Sequence, residues 1–227
     1  AVGACSSASR LIKAATLTGA PRGREPGDVW RRISIDGRCT NTLLQLVMAA
    51  AEFSRRHTPQ LPCLFALPVD LRRHMSELNS TQNFTSMLMV DLQAGEGMED
   101  FRRKLQHMLD HKMETHYRPA AGLVKALPMA WIDWLLSRKP GNFYRKRPLE
   151  TLLISHLGNV RQTLLGCEGF QTQGVYGVPL PGSAFCFAFR LEQRLEITLG
   201  MPRVYASQGR LDAFMALLEQ RLGTTES

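Results

Sequence analysis

Cysteine is scarce in this sequence of 227 residues, and its spacing excludes two classes of small fold. The cysteines are Cys5, Cys39, Cys63, Cys167 and Cys186. No two of them form a Cys-x-x-Cys pair, and their odd number leaves one without a partner. Disulfide scaffolds and structural zinc sites need clustered cysteines, so neither is expected. The pattern favours a reducing compartment, and we predict a cytoplasmic protein.

Long apolar runs are also absent. No stretch approaches the roughly 20 apolar residues that span a bilayer, and no signal-peptide pattern opens the chain. The first residue is Ala, so we expect the numbering to begin inside a longer gene product. Residues 1–29 are rich in Ala, Gly, Ser, Pro and Arg, a composition typical of a flexible linker. We therefore predict an N-terminal linker over 1–29 and a folded lobe over 30–227.

The common catalytic motifs are missing. There is no Gly-x-Ser-x-Gly elbow, no phosphate loop and no dinucleotide fingerprint. The histidines are His57, His74, His107, His111, His116 and His156, and no two are adjacent. His107 and His111 stand four apart in a helical segment, a spacing that can bind zinc, but no His-Glu-x-x-His accompanies them. A solvated pair is the favoured alternative, and no metal is predicted.

Positive charge is present in excess, with a formal net charge of +8. Such a charge suits an anionic partner such as nucleic acid, a membrane surface or a phosphorylated cofactor. The basic residues are scattered in short groups and form no nucleic-acid-binding motif, so we predict no nucleic-acid partner. Peripheral membrane contact stays open. The segment 140–148, basic with aromatics, is either a phosphate- or partner-binding loop or an ordinary surface loop.

Hydrophobic residues make up 44% of the chain, enough for a packed core. Their periodicity predicts strands over 30–36, 61–69, 84–92, 150–160 and twice within 182–200, and helices over 39–56, 97–117, 120–127, 129–139 and 207–222. The strand over 61–69 is almost continuously apolar, which is typical of a strand buried on both faces. The predicted fold class is α/β (α+β), a mixed β-sheet with helices packed on it.

Four short motifs follow one another along the chain. They are Thr40-Asn41-Thr42, Pro68-Val69-Asp70-Leu71-Arg72, Asn83-Phe84 and Ser155-His156-Leu157-Gly158. Their order and spacing resemble the second half of the chloramphenicol-acetyltransferase-like superfamily. That group includes alcohol acetyltransferases, wax ester synthases and the condensation domains of nonribosomal peptide synthetases. The resemblance runs from about residue 30 to the end, and it implies the C-terminal lobe of this fold.

The resemblance implies an acyltransferase of two similar lobes with a tunnel between them. The family's general base is the second His of His-His-x-x-x-Asp-Gly in the first lobe, and this sequence lacks that motif. The expectation is therefore a C-terminal lobe that is inactive alone, transferring an acyl group from a thioester to a hydroxyl or amine acceptor once joined to a missing N-terminal lobe. The alternative is a non-catalytic binding module of the same fold, which recognises a carrier protein, a lipid or a protein partner.

The resemblance also implies ligands and partners. The acyl donor would be acyl-CoA or a phosphopantetheine-linked acyl group, bound as a substrate. The expected partners are the missing N-terminal lobe or a second copy of the chain, together with a candidate acyl carrier protein. A lone lobe exposes the surface that faces the other lobe, so we expect association.

The resemblance places Arg72, Asn83, Ser155 and His156 along the substrate channel or in support of it, with no catalytic residue in this chain. A fixed positive charge at Arg72 could stabilise an oxyanion or hold a phosphate. The alternative is a local structural pair of Asp70 with Arg72 at the strand end. Arg73 and His74 are expected to be solvated.

The alternative to a channel role for His156 is a hydrogen-bonded histidine at a strand end. Ser155 would hydrogen-bond the same reaction intermediate as His156. Trp131 and Trp134 would line an acyl tunnel or lie in the core.

Overall fold

The computed structural model describes residues 13–37, 39–74, 83–115, 128–131, 148–161, 165–170, 172, 175, 177 and 182–223. The strands are β1 (Asp28–Asp36), β2 (Cys63–Asp70), β3 (Thr85–Leu92), β4 (Leu152–Val160), β5 (Phe185–Leu191) and β6 (Arg194–Pro202). The helices are α1 (Thr42–Arg55), α2 (Met98–Asp110), α3 (Arg203–Ala206) and α4 (Arg210–Gly223). The first 3-10 turn covers Leu71–His74 and the second covers Met113–Thr115.

The strands form one mixed sheet in the order β1-β6-β5-β4-β2-β3. β2, β4 and β5 are parallel neighbours, whereas β1 pairs antiparallel with β6, β6 with β5, and β3 with β2. β1, β2, β4 and β5 therefore run in one direction, and their C-terminal ends meet at one edge of the sheet. We call this the carboxyl edge. The mixed sheet with helices agrees with the predicted fold class.

The main core lies between one face of the sheet and helices α1, α2 and α4. Alternate residues of β6 project into it, and all four of them are almost fully buried: Leu195, Ile197, Leu199 and Met201. Phe53 of α1 contacts Phe214 of α4 with ring centroids 5.2 Å apart. Complete burial of a side chain such as Phe214 contributes about 2–3 kcal/mol. This helical layer fixes the orientation of the strands that reach the carboxyl edge.

The opposite face of the sheet, which we call the open face, carries a much smaller apolar cluster. Its buried members are Ala66, Leu153 and Phe185, with Met89 and Phe187 packed against them. Within the described residues, no helix contributes to this cluster. Gly177 lies so close to the Phe187 ring that a Cβ at this position would be only 2.0 Å from it, so part of the face is covered.

The expected N-terminal linker is wrong for part of its length, because residues 14–18 are buried. The Ala15 N–H donates to the Pro62 carbonyl at 2.8 Å, and the Thr151 hydroxyl donates to the Ala15 carbonyl at 2.6 Å. Small side chains let this backbone pack tightly, and the same small residues give the composition of a linker. The packed lobe therefore begins at least at residue 14, and residues 1–12 lie outside the described part.

The observed helix boundaries differ from those predicted by the periodicity, because the local backbone geometry determines where each helix begins and ends. α1 begins at Thr42, because Asn41 takes a left-handed conformation with φ 55° and the Thr42 hydroxyl donates to the Cys39 carbonyl at 3.3 Å. α2 ends at Asp110, seven residues before the predicted end, and the chain turns at Lys112 with φ 51°. The predicted helices over 120–127 and 129–139 lie almost entirely outside the described residues.

Candidate functional site

The carboxyl edge contains a break in the sheet. β2 and β4 pair only through Phe65 with Leu152 and Ala66 with Leu153, and the described backbone shows no pairing between them beyond these residues. In parallel sheets, ligands bind outside the carboxyl ends of the strands at such discontinuities. The predicted site residues flank this break, with Asp70, Arg72 and Asn83 on the β2 side and β4 on the other. We therefore take this end of the sheet as the candidate site.

Arg72 forms a local pair with Asp70 at the end of β2. Its backbone N–H donates to Asp70 Oδ1 at 2.9 Å, and its guanidinium donates to Asp70 Oδ2 at 3.0 Å. The N–H donation first, and then the guanidinium, lower the pKa of Asp70. The side chain of Asp70 is exposed, and that of Arg72 is partly exposed. The alternative of a local structural pair is thus seen in the geometry, and the channel role of Arg72 stays a prediction.

Asn83 lies at the same corner of the sheet as Arg72. The β2–β3 register pairs Asp70 with Thr85, and the Leu71 N–H donates to the Phe84 carbonyl at 2.7 Å. Asn83 lies two residues before β3, and Arg72 lies two residues after β2 in the 3-10 turn. The guanidinium carbon of Arg72 is 6.0 Å from the centre of the Phe84 ring, at the limit of a cation–π contact. The fold therefore brings together two motifs that are separated along the sequence.

Ser155 and His156 lie on opposite faces of the sheet. Ser155 is in register with Phe187 of the open-face cluster, and His156 is in register with Ala188 of the main core. Neighbouring residues of a strand point to opposite faces, so these two side chains do not enter the same space. The structure thus separates the two groups that were expected to contact one intermediate.

His156 has a neighbour that the sequence reasoning missed, Arg190 of β5. Burial, and after it the positive charge of Arg190, lower the pKa of His156. Arg190 donates to the carbonyls of Gly37 at 2.5 Å, Gln193 at 3.2 Å and Cys39 at 3.4 Å. It therefore fixes the loop that precedes α1 against the carboxyl edge. A lone arginine at the end of the apolar strand Phe185–Leu191 was the available signal.

His74 is not fully solvated, contrary to expectation. Its Nε2 lies 2.9 Å from Oε1 of Glu114, which is buried in the second 3-10 turn. Burial raises the pKa of Glu114, but the hydrogen bond from His74 and the positive charges of His74 and Arg73 leave it lower than usual. Forty residues separate the two partners, and no periodicity indicates their contact.

The remaining candidates do not gather into a site. His107 and His111 stack with ring centroids 4.1 Å apart, and Nδ1 of His111 lies 2.8 Å from the His107 carbonyl. Among the described residues, no group of three His, Cys, Asp or Glu side chains could hold a metal ion. Trp131 is 66% exposed, which fits neither a core position nor a closed tunnel. Trp134 and residues 140–147 lie outside the described part.

A cavity and the character of the helices complete the description. A small cavity lined by Thr16, Thr18 and Tyr205 lies near the opposite ends of β4 and β5. Of the helices that the structure describes, none combines the length and apolar character needed to span a membrane.

Sequence comparisons and structure comparisons give different results for this chain. No protein-family model and no curated protein sequence matches it. Solved structures do match. The starter condensation domain of rhizomide synthetase RzmA is 14% identical with a TM-score of 0.58, and the match covers 95% of this chain and 48% of that chain. A mutant of the same domain in complex with C8-CoA and Leu-SNAC is 15% identical, covering 92% and 47%, with a TM-score of 0.54.

A third match is a structure concerned with condensation domain-mediated chain release from the enacyloxin polyketide synthase. It is 12% identical with a TM-score of 0.52, and the match covers 92% of this chain and 43% of that chain. The chain thus has the fold of one half of a condensation domain and spans about half the length of these structures. It fits the C-terminal half, which confirms the fold that the four sequence motifs implied.

Proposed function

We propose that this chain is the C-terminal lobe of a condensation-type acyltransferase. The reaction would move an acyl group from a thioester, either acyl-CoA or an acyl carrier protein, to a hydroxyl or amine acceptor. The observation that carries this proposal is a half-domain match that covers nearly all of this chain, together with Arg72 and Asn83 at the carboxyl edge. The structure with C8-CoA and Leu-SNAC supports the thioester class as a donor.

A second lobe is the expected partner because large apolar side chains on the open face are exposed to solvent. The exposed fractions are 43% for Met87 and 58% for Trp30, and both lie on this face by strand alternation. Large exposed apolar side chains on one face mark a surface that another protein covers. An N-terminal lobe, or a second copy of the chain, would cover it, and a carrier protein would then deliver the donor to the edge between the lobes.

The roles of the residues follow from their charge and position. In the joined protein, a base on the other lobe would remove the acceptor proton, the acceptor would attack the thioester carbonyl, and the C–S bond would break to release a thiolate. Arg72 presents a fixed positive charge at the edge and would stabilise the oxyanion or hold a donor phosphate. His156, with its lowered pKa, is neutral at pH 7 and would support the edge as a hydrogen-bonding group.

The first experiment is the intact mass of the protein expressed from its full gene in its natural host. A species near twice the mass of this chain, or a co-purifying fragment with His-His-x-x-x-Asp-Gly, is the expected result. A species with the mass of this chain alone, without any co-purifying lobe, would mean that the general base is absent. The acyltransferase proposal would then fail in favour of the non-catalytic binding module. That alternative is favoured by the lack of the motif in this sequence.

The second experiment tests Arg72 in the two-lobe protein with octanoyl-CoA as donor. Arg72→Ala should lower kcat/KM by about 10- to 100-fold, because a fixed charge near the developing oxyanion is lost. Arg102→Ala is the matched control, since Arg102 is an exposed arginine on α2 that pairs only with Glu99 among the described residues. Equal rates for the two variants would place Arg72 outside the reaction.

A further inference from the structure

Basic side chains and one histidine gather where α1 ends and the segment before β1 meets α4. We call them the basic cluster, and its members are Arg22, Arg56, His57 and Arg210. His57 lies between α1 and the start of β2, and the Arg22 N–H donates at 2.7 Å to the carbonyl of Val204, which directly follows the end of β6. The cluster is therefore at the edge of the sheet opposite the carboxyl edge. Arg22, Arg56 and His57 are exposed, whereas Arg210 is buried.

The segment before β1 packs directly on the end of α1. Gly19 has φ 81°, and a Cβ on this residue would be only 3.0 Å from the Cβ of His57. Arg210 donates to the carbonyls of Thr18 at 2.7 Å and Ala20 at 2.8 Å, on either side of Gly19. His57 and Arg210 thus contact the same short turn of the chain.

The other two arginines are held by contacts with the packed lobe. Nη1 of Arg22 donates to Oε1 of Gln208 in the loop before α4. The rings of Phe53 and His57 are 5.3 Å apart at their centroids, and the guanidinium carbon of Arg56 is 5.7 Å from the Phe53 centroid. A guanidinium has five N–H donors, so Arg22 and Arg56 keep donors for a ligand.

Carboxylates do not neutralise the cluster within the described part of the chain. Arg22 and Arg210 form no ion pair with a described residue. Arg56 pairs with Glu52, and Arg221 of α4 shares that carboxylate. The negative end of the α1 dipole and the positive end of the α4 dipole both lie here, so they approximately offset each other. The arginines therefore leave an excess of positive charge.

His57 lies within this charge and has no hydrogen-bond partner among the described residues. The charged groups around its ring are Arg22 from the segment before β1, Arg56 and Glu52 from α1, and Arg210 from α4. Partial burial first, and then the charges of Arg210, Arg22 and Arg56, lower the pKa of His57. An anion in the cluster offsets this repulsion and favours the imidazolium, which gains one more N–H donor.

We propose that the basic cluster is a binding site for a phosphate group carried as a monoester. Arginine suits this group because its planar fork can donate two parallel hydrogen bonds to phosphate oxygens. Arg22 and Arg56 donate to the phosphate, the buried Arg210 adds its charge, and His57 takes up a proton from solvent as the group binds. The phosphate belongs either to a soluble ester or to a phospholipid headgroup. The site does not depend on the proposed acyl transfer.

Inorganic phosphate is the first probe, titrated into this chain in low salt at about pH 8, where phosphate is a dianion. The amide signals of Gly19 and His57 in ¹H–¹⁵N NMR spectra should shift saturably, with a Kd of about 1 mM. Arg22→Gln should raise the Kd by at least about tenfold, because charged hydrogen bonds are lost. Circular dichroism establishes that this surface variant is folded.

Arg194→Gln is the matched control. Arg194 is an exposed arginine at the start of β6, at the carboxyl edge, so its loss changes the net charge equally but at the other edge of the sheet. The Kd for phosphate should change by less than about twofold, because a distant charge is largely screened. Equal weakening in Arg22→Gln and Arg194→Gln would overturn the proposal.

Proton uptake by His57 is a second and independent measurement on the wild type. Sulfate is the probe, because it stays a dianion over the whole range in which histidine titrates. The pKa of His57, followed through its ring protons, should rise in saturating sulfate. Sodium chloride at the same ionic strength is the control for screening. A rise in sulfate that is no larger than the rise in sodium chloride would contradict a bound anion.

Vesicles distinguish the two sources of the phosphate. Vesicles of phosphatidylcholine with about 20 mol% phosphatidic acid present phosphate monoesters at a membrane surface. Sedimentation with these vesicles but not with pure phosphatidylcholine, lost in Arg22→Gln, would assign a phospholipid headgroup. Saturable binding of inorganic phosphate without sedimentation would assign a soluble ester. If neither the vesicles nor phosphate up to about 20 mM bind, the cluster is not a phosphate site.

Discussion

His156 is a partly buried titratable group that contributes to the response of the molecule to acid. Its environment combines partial burial with the positive charge of Arg190, and both disfavour the imidazolium. In the unfolded chain the pKa returns to about 6.5. The unfolded state therefore binds more protons than the folded state in mildly acidic solution.

This difference predicts a pH dependence of the free energy of unfolding. The stability that neutral His156 provides is complete above about pH 6.5 and falls as the pH drops towards the lowered pKa of the folded state. His156→Asn removes the contribution of this residue, so stability relative to wild type should rise as the pH is lowered from 8 to 5.5. Urea unfolding at both pH values measures the change. A constant difference between variant and wild type would contradict the prediction.

A second prediction for a single residue concerns Arg190. Arg190→Met removes hydrogen bonds from the carbonyls of Gly37, Cys39 and Gln193, and a charged donor of this kind is worth about 1.5–3 kcal/mol. We expect the free energy of unfolding to fall by about 2 kcal/mol. Arg194→Met is the control, because its exposed pair with Asp36 at 3.3 Å is worth less than about 1 kcal/mol. Similar losses in the two variants would show that Arg190 does not hold the loop.

At the scale of elements, the N-terminal segment is attached by a buried arginine at the start of α4. Arg210 donates to the carbonyls of Thr18 at 2.7 Å and Ala20 at 2.8 Å. It also donates to the carbonyls of Val204 and Ser207, both at 2.9 Å. The segment is therefore part of the lobe, although its composition is that of a linker.

This attachment predicts a local effect of substitution. Arg210→Met leaves several buried carbonyls without donors and should lower the free energy of unfolding by about 3 kcal/mol. Hydrogen exchange should accelerate most in residues 14–20. The exposed Arg203 provides the control Arg203→Met, for which exchange in this segment should stay as in wild type. Uniform acceleration across all elements would indicate general destabilisation in place of a released segment.

At the scale of the whole molecule, the open face predicts association. Met87→Asp places a charge on the exposed apolar part of β3 without touching the main core. If a second copy or lobe covers this face, the variant should dissociate at concentrations where the wild type associates, by at least about tenfold in Kd. Sedimentation velocity measures the effect. A wild type that is strictly monomeric, even at high concentration, would contradict the predicted association.

The fold class and the half-domain architecture could be predicted without a structure. Apolar alternation in 185–191 and the apolar run over 61–69 specify strands that are buried on at least one face, because their side chains have no other favourable place. The order along the chain of the motifs around Asp70, Asn83 and Ser155 indicates the half-domain through resemblance. These features are patterns within single segments or the order of motifs along the sequence, so they can be recognised without a structure.

Which side chains contact one another is known only from the tertiary structure. Ser155 and His156 are neighbours in sequence but lie on opposite faces, whereas His74 and Glu114 are forty residues apart and bond at 2.9 Å. The same holds for Arg190 with the loop before α1. Such contacts depend on strand order, register and the angle of each helix on the sheet. Those quantities come from packing across the whole core, and no local pattern of residues encodes them.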